Sequence, residues 1–167
     1  MKKIIAGLII SLFFMGCSSK DAPEQVVEPK LVVGKSLADM KLNDQFEKAH
    51  TLKESTKKVV FAYSKDIAHT CNDYFVTQSP TYLSDNNTQF VADVSAAPSL
   101  IRSMFILPGL KEFKHTVLLL SDEKTAAPYR AGVNTEKIVV AYVEDKSITK
   151  IITLGSESEL KQIIEAK

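Results

Sequence analysis

Apolar positions fall into one long block near the start of the chain and then into short, spaced runs. Residues 4–15 are apolar apart from Gly7 and Ser11, with Lys2 and Lys3 before them and Gly16, Cys17, Ser18 and Ser19 after. The block is short for a bilayer span and has no polar face to present as a core helix. A basic start, an apolar middle and a small residue at the end are the order of a secretory signal. Residues 18–36 hold Pro23, Pro29 and mixed charges with little apolar period, which predicts an extended, mobile tether. A folded domain is expected from Leu37 onward.

Within that domain the runs alternate in type. Residues 42–46 and 50–52 read as a hairpin turning at 47–49. Residues 59–63 are a short apolar run of strand formers, hence a buried strand. A helix is expected over about 68–76, with Pro80 near its end, and a second strand over 90–94. Ser95 can cap the next helix, and Pro98 fits a first helical turn. Leu100, Ile101, Met104, Phe105 and Leu107 then form a stripe at helical spacing, expected as core, that should stop near Pro108 and Gly109. Residues 116–120 read as a third buried strand and 126–132 as a loop or short helix. Residues 138–143 and 148–154 flank an acidic turn and read as a hairpin. Ser156, with Glu159 three residues on, caps a final helix whose inward face is Leu160, Ile163 and Ile164. Alternating strands and helices predict an α/β fold with a mainly parallel sheet, closed by an antiparallel hairpin.

Composition narrows the class. Loss of residues 1–16 leaves about 151 residues, one domain's worth, and turns the formal charge of +1 into −1. No basic patch points to nucleic acid and no acidic block to a disordered tail. The chain has no tryptophan and only two cysteines. No phosphate loop or dinucleotide glycine pattern is present, and no Gly-x-Ser-x-Gly elbow, so no cofactor is implied.

The segment Phe14-Met15-Gly16-Cys17 resembles the lipobox of bacterial lipoproteins in its last two positions; the first two are bulkier than usual. The resemblance implies cleavage before Cys17, acylation of that cysteine, and a membrane anchor. Several acyl chains hold a protein stably where one is marginal. Ser18, in place of an inner-membrane retention aspartate, points to the outer membrane of a Gram-negative cell, with the domain facing the periplasm. If Cys17 is acylated, Cys71 has no intramolecular disulfide partner. The expected organisation is a signal at 1–16, a lipidated cysteine and tether at 17–36, and a domain at 37–167.

Over about residues 34–166 the order of elements resembles the thioredoxin-like fold, in its peroxiredoxin and membrane-anchored thiol-disulfide oxidoreductase branch. The resemblance rests on the hairpin of 42–52 followed by 58–63, on Tyr129-Arg130-Ala131-Gly132-Val133 before a strand, and on the two strands, Gly155 and helix of 138–164. It implies a three-layer α/β/α sandwich. Residues 90–120 fit less well and read as an inserted βα unit.

The family's chemistry needs a thiolate at a helix N-terminus and a resolving cysteine two residues on. Here the corresponding stretch runs from Ser64 to Cys71 with no Cys-x-x-Cys and no Pro-x-x-x-Thr-x-x-Cys. Cys71 falls near the less reactive cysteine of the family motif. The place of the family's cis-proline, about residues 135–137, has no proline. The expectation is a domain that keeps the fold without the dithiol machinery and serves as a binding or assembly module for another envelope protein. Two rivals stand beside it. Cys71 could act as a single redox thiol with His69 stabilising its thiolate, or the domain could be a periplasmic carrier of a small molecule or of a soft metal held by His69 and Cys71, with His115 or Met104 as further ligands. His50 and His115 read as structural or solvated. Asp93 and Asp122 lie at the carboxyl ends of expected parallel strands, where α/β folds place ligands, although capping the next helix is the simpler role.

Overall fold

A computed structural model describes residues 27–166. The leader and Cys17 lie outside the described residues. Seven strands form one sheet: β1 (Lys41–Asp44), β2 (Ala49–Thr51), β3 (Lys58–Ala62), β4 (Thr88–Asp93), β5 (Leu118–Leu120), β6 (Ile138–Glu144) and β7 (Ser147–Leu154), in the order β2-β1-β5-β4-β3-β6-β7. β3, β4 and β5 are parallel, and every other pairing is antiparallel. The sheet is therefore mixed, with its parallel part confined to the centre. Residues 90–120 are no insertion, because β4 lies between β3 and β5 in the middle of the sheet.

β3 and β4 are buried on both faces, which explains their unbroken apolar runs. Two cores result. Phe61, Val91, Leu118, Leu120, Tyr129 and Val139 belong to one; Val60, Phe75, Phe90, Leu119, Leu160 and Ile164 belong to the other. The helix α5 (Glu123–Arg130) covers the first face, and α1 (Lys65–Val76) and α6 (Glu157–Glu165) pack into the second. A short helix, α2 (Tyr82–Asp85), seats Leu83 in the second core.

The tight connections follow local chemistry. Asp145 and Lys146 both have positive φ, the backbone of a two-residue hairpin turn that matches strand twist. Asp44 holds the β1–β2 turn, its Oδ1 accepting from the Phe46 and Lys48 amides at 2.8 and 3.0 Å. Ser156 caps α6 as expected, accepting from the Glu159 amide, while the Glu159 carboxylate reaches Gly155 N–H.

Two expectations need correction. The first concerns the domain's start. Leu31 is 5 % exposed and belongs to the first core. Lys30 N–H donates to Pro128 O at 2.8 Å, Gly34 N–H to Ile148 O at 2.7 Å, and Leu37 N–H to Lys146 O at 2.7 Å. Residues 30–37 form a strap laid from α5 to the β6–β7 hairpin, so the packed domain starts upstream of Leu37. Apolar spacing missed it because Leu31 is a lone anchor with exposed Val32 and Val33 beside it.

The second concerns residues 99–111. They are helical throughout, in three consecutive pieces: α3 (Ser99–Ile101), a π-helical turn (Arg102–Ile106) and α4 (Leu107–Lys111). Pro108 and Gly109 do not end the helix. Leu107 N–H bonds to Arg102 O across the wide turn, and Pro108, which lacks an N–H, sits in the first turn of α4. The stripe is not core. Leu100, Ile101, Met104 and Phe105 are 64, 44, 58 and 65 % exposed, and it is Leu107, Leu110 and Phe113 that pack inward. Ser95 does not cap this helix either; its amide and hydroxyl both donate to Asp93 Oδ1, at 2.8 and 2.6 Å.

Candidate functional site

The carboxyl end of β3 and the start of α1 are where the sequence resemblance puts the chemistry. Ser64 is the N-cap of α1, with extended backbone and a hydroxyl accepting from Ile67 N–H at 3.4 Å. The helix begins at Lys65, earlier than the expected Ala68, so Cys71 falls in its interior. There the backbone N–H groups are used by the helix, and none is left to stabilise a thiolate. Cys71 shares a face with Tyr74 and Phe75, at i+3 and i+4, turned into the second core. It is 0 % exposed, and burial pushes its thiol up to about 12. His69 is exposed; two residues along a helix is about 200° of rotation, so it points away from Cys71. The structure does not bring the proposed thiolate pair together.

The proposed metal ligands also stay apart. His115 is buried against Phe75, Phe90 and Phe113, with Nε2 2.9 Å from Asn72 Oδ1. Burial lowers its pKa to about 4, so the ring is neutral. Met104 is on the exposed helical face. His50 Nε2 meets Asp44 Oδ2 at 2.7 Å in the first hairpin. Burial alone would raise the Asp44 pKa, but His50 and the two turn amides outweigh it and hold the carboxyl below its usual range. Among the described residues, no group of three or more His, Cys, Asp or Glu is placed to hold a metal ion.

The two strand-end aspartates divide. Asp122 caps α5, accepting from the Thr125 amide at 2.9 Å and the Thr125 hydroxyl at 2.8 Å. Asp93 caps nothing. Its side chain is 1 % exposed, its Oδ1 is taken by Ser95, and its Oδ2 has no hydrogen bond but faces Arg130 Nη1 at 3.3 Å. Arg130 also pairs with Glu123. Beside them Tyr63 donates its hydroxyl to Tyr129 O at 2.7 Å, and burial, then the Asp93 charge, push its pKa up. This cluster ties the ends of β3 and β4 to α5. In the sequence Arg130 stands out only as part of a fold pattern, and its pairing is invisible there; Arg130 and Asp93 are 37 residues apart, and no local spacing announces such a pair.

A hollow of about 1080 Å³ opens between the strap and α5, lined by Val27, Pro29, Lys30, Asp39, Lys124 and Pro128 among others. Its charges largely satisfy one another, as Lys30 pairs with Asp39 and Lys35 with Glu28.

No protein-family model matches the chain, and neither does a curated protein sequence. Solved structures do. The peroxidoxin BcpB of Mycobacterium tuberculosis aligns with a TM-score of 0.52 at 15 % identity, over 79 % of this chain and 93 % of that one. A peroxiredoxin-like protein of Aquifex aeolicus aligns at 0.51 and 10 % identity, over 83 and 89 %. The pneumococcal exposed lipoprotein thioredoxin Etrx1 of Streptococcus pneumoniae aligns at 0.51 and 15 %, over 75 and 97 %. At such identities the likeness is one of fold, and the fold is thioredoxin-like.

Proposed function

We propose that this thioredoxin-like domain is a lipid-anchored envelope module that binds or helps assemble another envelope protein and is not a dithiol redox enzyme. The anchor is Cys17, and the domain faces the periplasm, at the outer membrane of a Gram-negative cell. One of the structural neighbours, from Streptococcus pneumoniae, is itself described as an exposed lipoprotein, which supports a lipid anchor in the cell envelope but not the choice of membrane.

The observation that carries the non-redox reading is the setting of Cys71: fully buried, inside a helix, with its thiol raised to about 12. A thiol-disulfide exchange site needs the opposite, an accessible thiolate at physiological pH. The structural neighbours include proteins named as peroxidoxin and thioredoxin, so a single-thiol redox protein using Cys71 is the rival. Iodoacetamide decides between them in a Cys17→Ser chain. A thiol raised from its ordinary value to about 12 has a thiolate fraction near pH 7 lower by about a thousandfold. Alkylation of the folded chain is therefore expected to be slower than in urea by at least that factor. A rate in the folded state close to that of a free thiol would sink the non-redox reading and favour the rival.

A further inference from the structure

The exposed stripe on residues 99–111 is the largest feature that the fold leaves unexplained. Single exposed apolar side chains are ordinary; four on adjacent helical positions are not. Leu100 and Ile101 precede Met104 and Phe105 by one turn, so the four lie on one face. Arg102 clamps the opposite side, donating to Val94 O and Ala97 O at 3.1 Å each. After the π-turn, Leu107 and Leu110 turn into the core. The outward face is thus rigidly presented. Residues 95–111 contain no acidic side chain and two basic ones, Arg102 and Lys111. An apolar helix face free of acidic side chains suits the interface of a bilayer; Glu112 follows only at the C-cap, and Arg102 is engaged by backbone carbonyls.

Position agrees with composition. The helical segment leaves from the carboxyl end of β4, and Asp122, at the carboxyl end of β5, is held below the usual carboxylate range chiefly by the Thr125 amide and hydroxyl, with smaller contributions from the charges of Lys124 and Arg102. Lys124 and Glu123 line the same hollow as Val27, the first described residue. The chain upstream therefore enters at the end of the molecule that carries the exposed face. The ten residues 17–26 reach at most about 35 Å when fully extended. A domain of this size has a radius of gyration of about 14 Å. A domain anchored at residue 17 cannot leave the surface by much more than its own width, and a short tether raises the effective concentration of even a weak contact.

We propose that Leu100, Ile101, Met104 and Phe105 form a lipid-docking face that lays the carboxyl end of the parallel strands on the bilayer in which Cys17 is anchored. The proposal rests on the anchor reading given above.

The absence of tryptophan makes the test direct. A chain from residue 17 onward is prepared without acylation and coupled through the Cys17 thiol to a maleimide lipid, Cys71 being buried. The vesicles contain phosphatidylethanolamine and phosphatidylglycerol, with or without bromine on the acyl chains. A Phe105→Trp chain is compared with a Phe46→Trp chain, Phe46 being equally exposed but at the β1–β2 turn. The expected result is a blue shift and a loss of emission of about twofold on bromination for Phe105→Trp, with little change for Phe46→Trp. Adding Leu100→Ser and Met104→Ser should return the loss to the control level. Equal responses from the two reporters, or none from either, would overturn the proposal. A blue shift that follows protein density and ignores bromine would overturn it in favour of a second copy. Mass spectrometry of the cell-made chain tests the anchor separately: no acyl adduct at Cys17, with the bromine response intact, removes the anchor reading and leaves the lipid-docking face standing.

Discussion

His115 gives the molecule a titration of definite sign. Its ring is enclosed by Phe75, Phe90 and Phe113 and touches no charge, only Asn72. The folded pKa, about 4, lies below the ordinary 6.5. The unfolded chain therefore takes up the proton first on acidification, and stability falls as pH drops from about 6.5 to about 4. At roughly 1.4 kcal/mol per pKa unit, the full effect is on the order of 3 kcal/mol. Urea unfolding at pH 7 and at pH 4.5 should show this loss in the native chain and a smaller one in His115→Gln. Equal losses in the two would mean that other groups carry it. Gln45 is the companion residue. It is buried, donates to His115 O at 2.8 Å and accepts from Val117 N–H at 2.9 Å, so it completes the backbone where β5 begins. Neither role was legible in the sequence. A lone histidine and a lone glutamine carry no spacing signal, because both partnerships cross elements.

Among the elements, the strands and the outer helices are legible in the sequence and the joints are not. β3, β6, β7 and α6 announce themselves through apolar runs, an acidic turn and a Ser-x-x-Glu cap, all of which are local. The π-turn is not local in this sense. Pro108 and Gly109 are strong stop signals, and they are overridden because the wide turn just before them absorbs the missing N–H. The exposed stripe is hidden for a related reason, since periodicity shows that a face is apolar but not what covers it. The joint between β4 and α5 rests on Asp93 and Arg130, whose side chains are 1 and 26 % exposed. Removing one partner of a buried pair strands the other charge. Arg130→Gln is therefore expected to cost about 2–3 kcal/mol, at the low end for a buried pair because the guanidinium keeps some water. Asp93→Asn with Arg130→Gln should recover part of that loss. A midpoint in urea unchanged by Arg130→Gln would mean that the tie is ornamental.

For the whole molecule, alternation of strands and helices is enough to place the chain in the α/β class, and its order suggests the thioredoxin-like fold. The parallel share of the sheet is smaller than alternation implies because hairpins at both edges join antiparallel. The candidate site is legible mainly as an absence of paired cysteines. The burial of Cys71 is hidden, since helix starts are set by caps that shift by a few residues. The domain's true start is testable. A chain beginning at Leu37 loses Leu31, whose burial contributes about 1.5–3 kcal/mol, and the strap's hydrogen bonds. Ordering the strap offsets part of this, so a net loss of about 2 kcal/mol in urea unfolding is expected, relative to a chain beginning at Val27. No loss would make the strap a passive passenger. The strap also sets a mechanical order of events. Tension on the chain upstream of Val27 arrives first at the Lys30–Pro128 bond, then at the Gly34–Ile148 bond to β7 and the Leu37–Lys146 bond, before it reaches β1, the first strand along the chain. Under load the strap would unzip as a breakaway link, lengthening the leash by several residues at roughly 3.5 Å each while the sheet behind it stays whole.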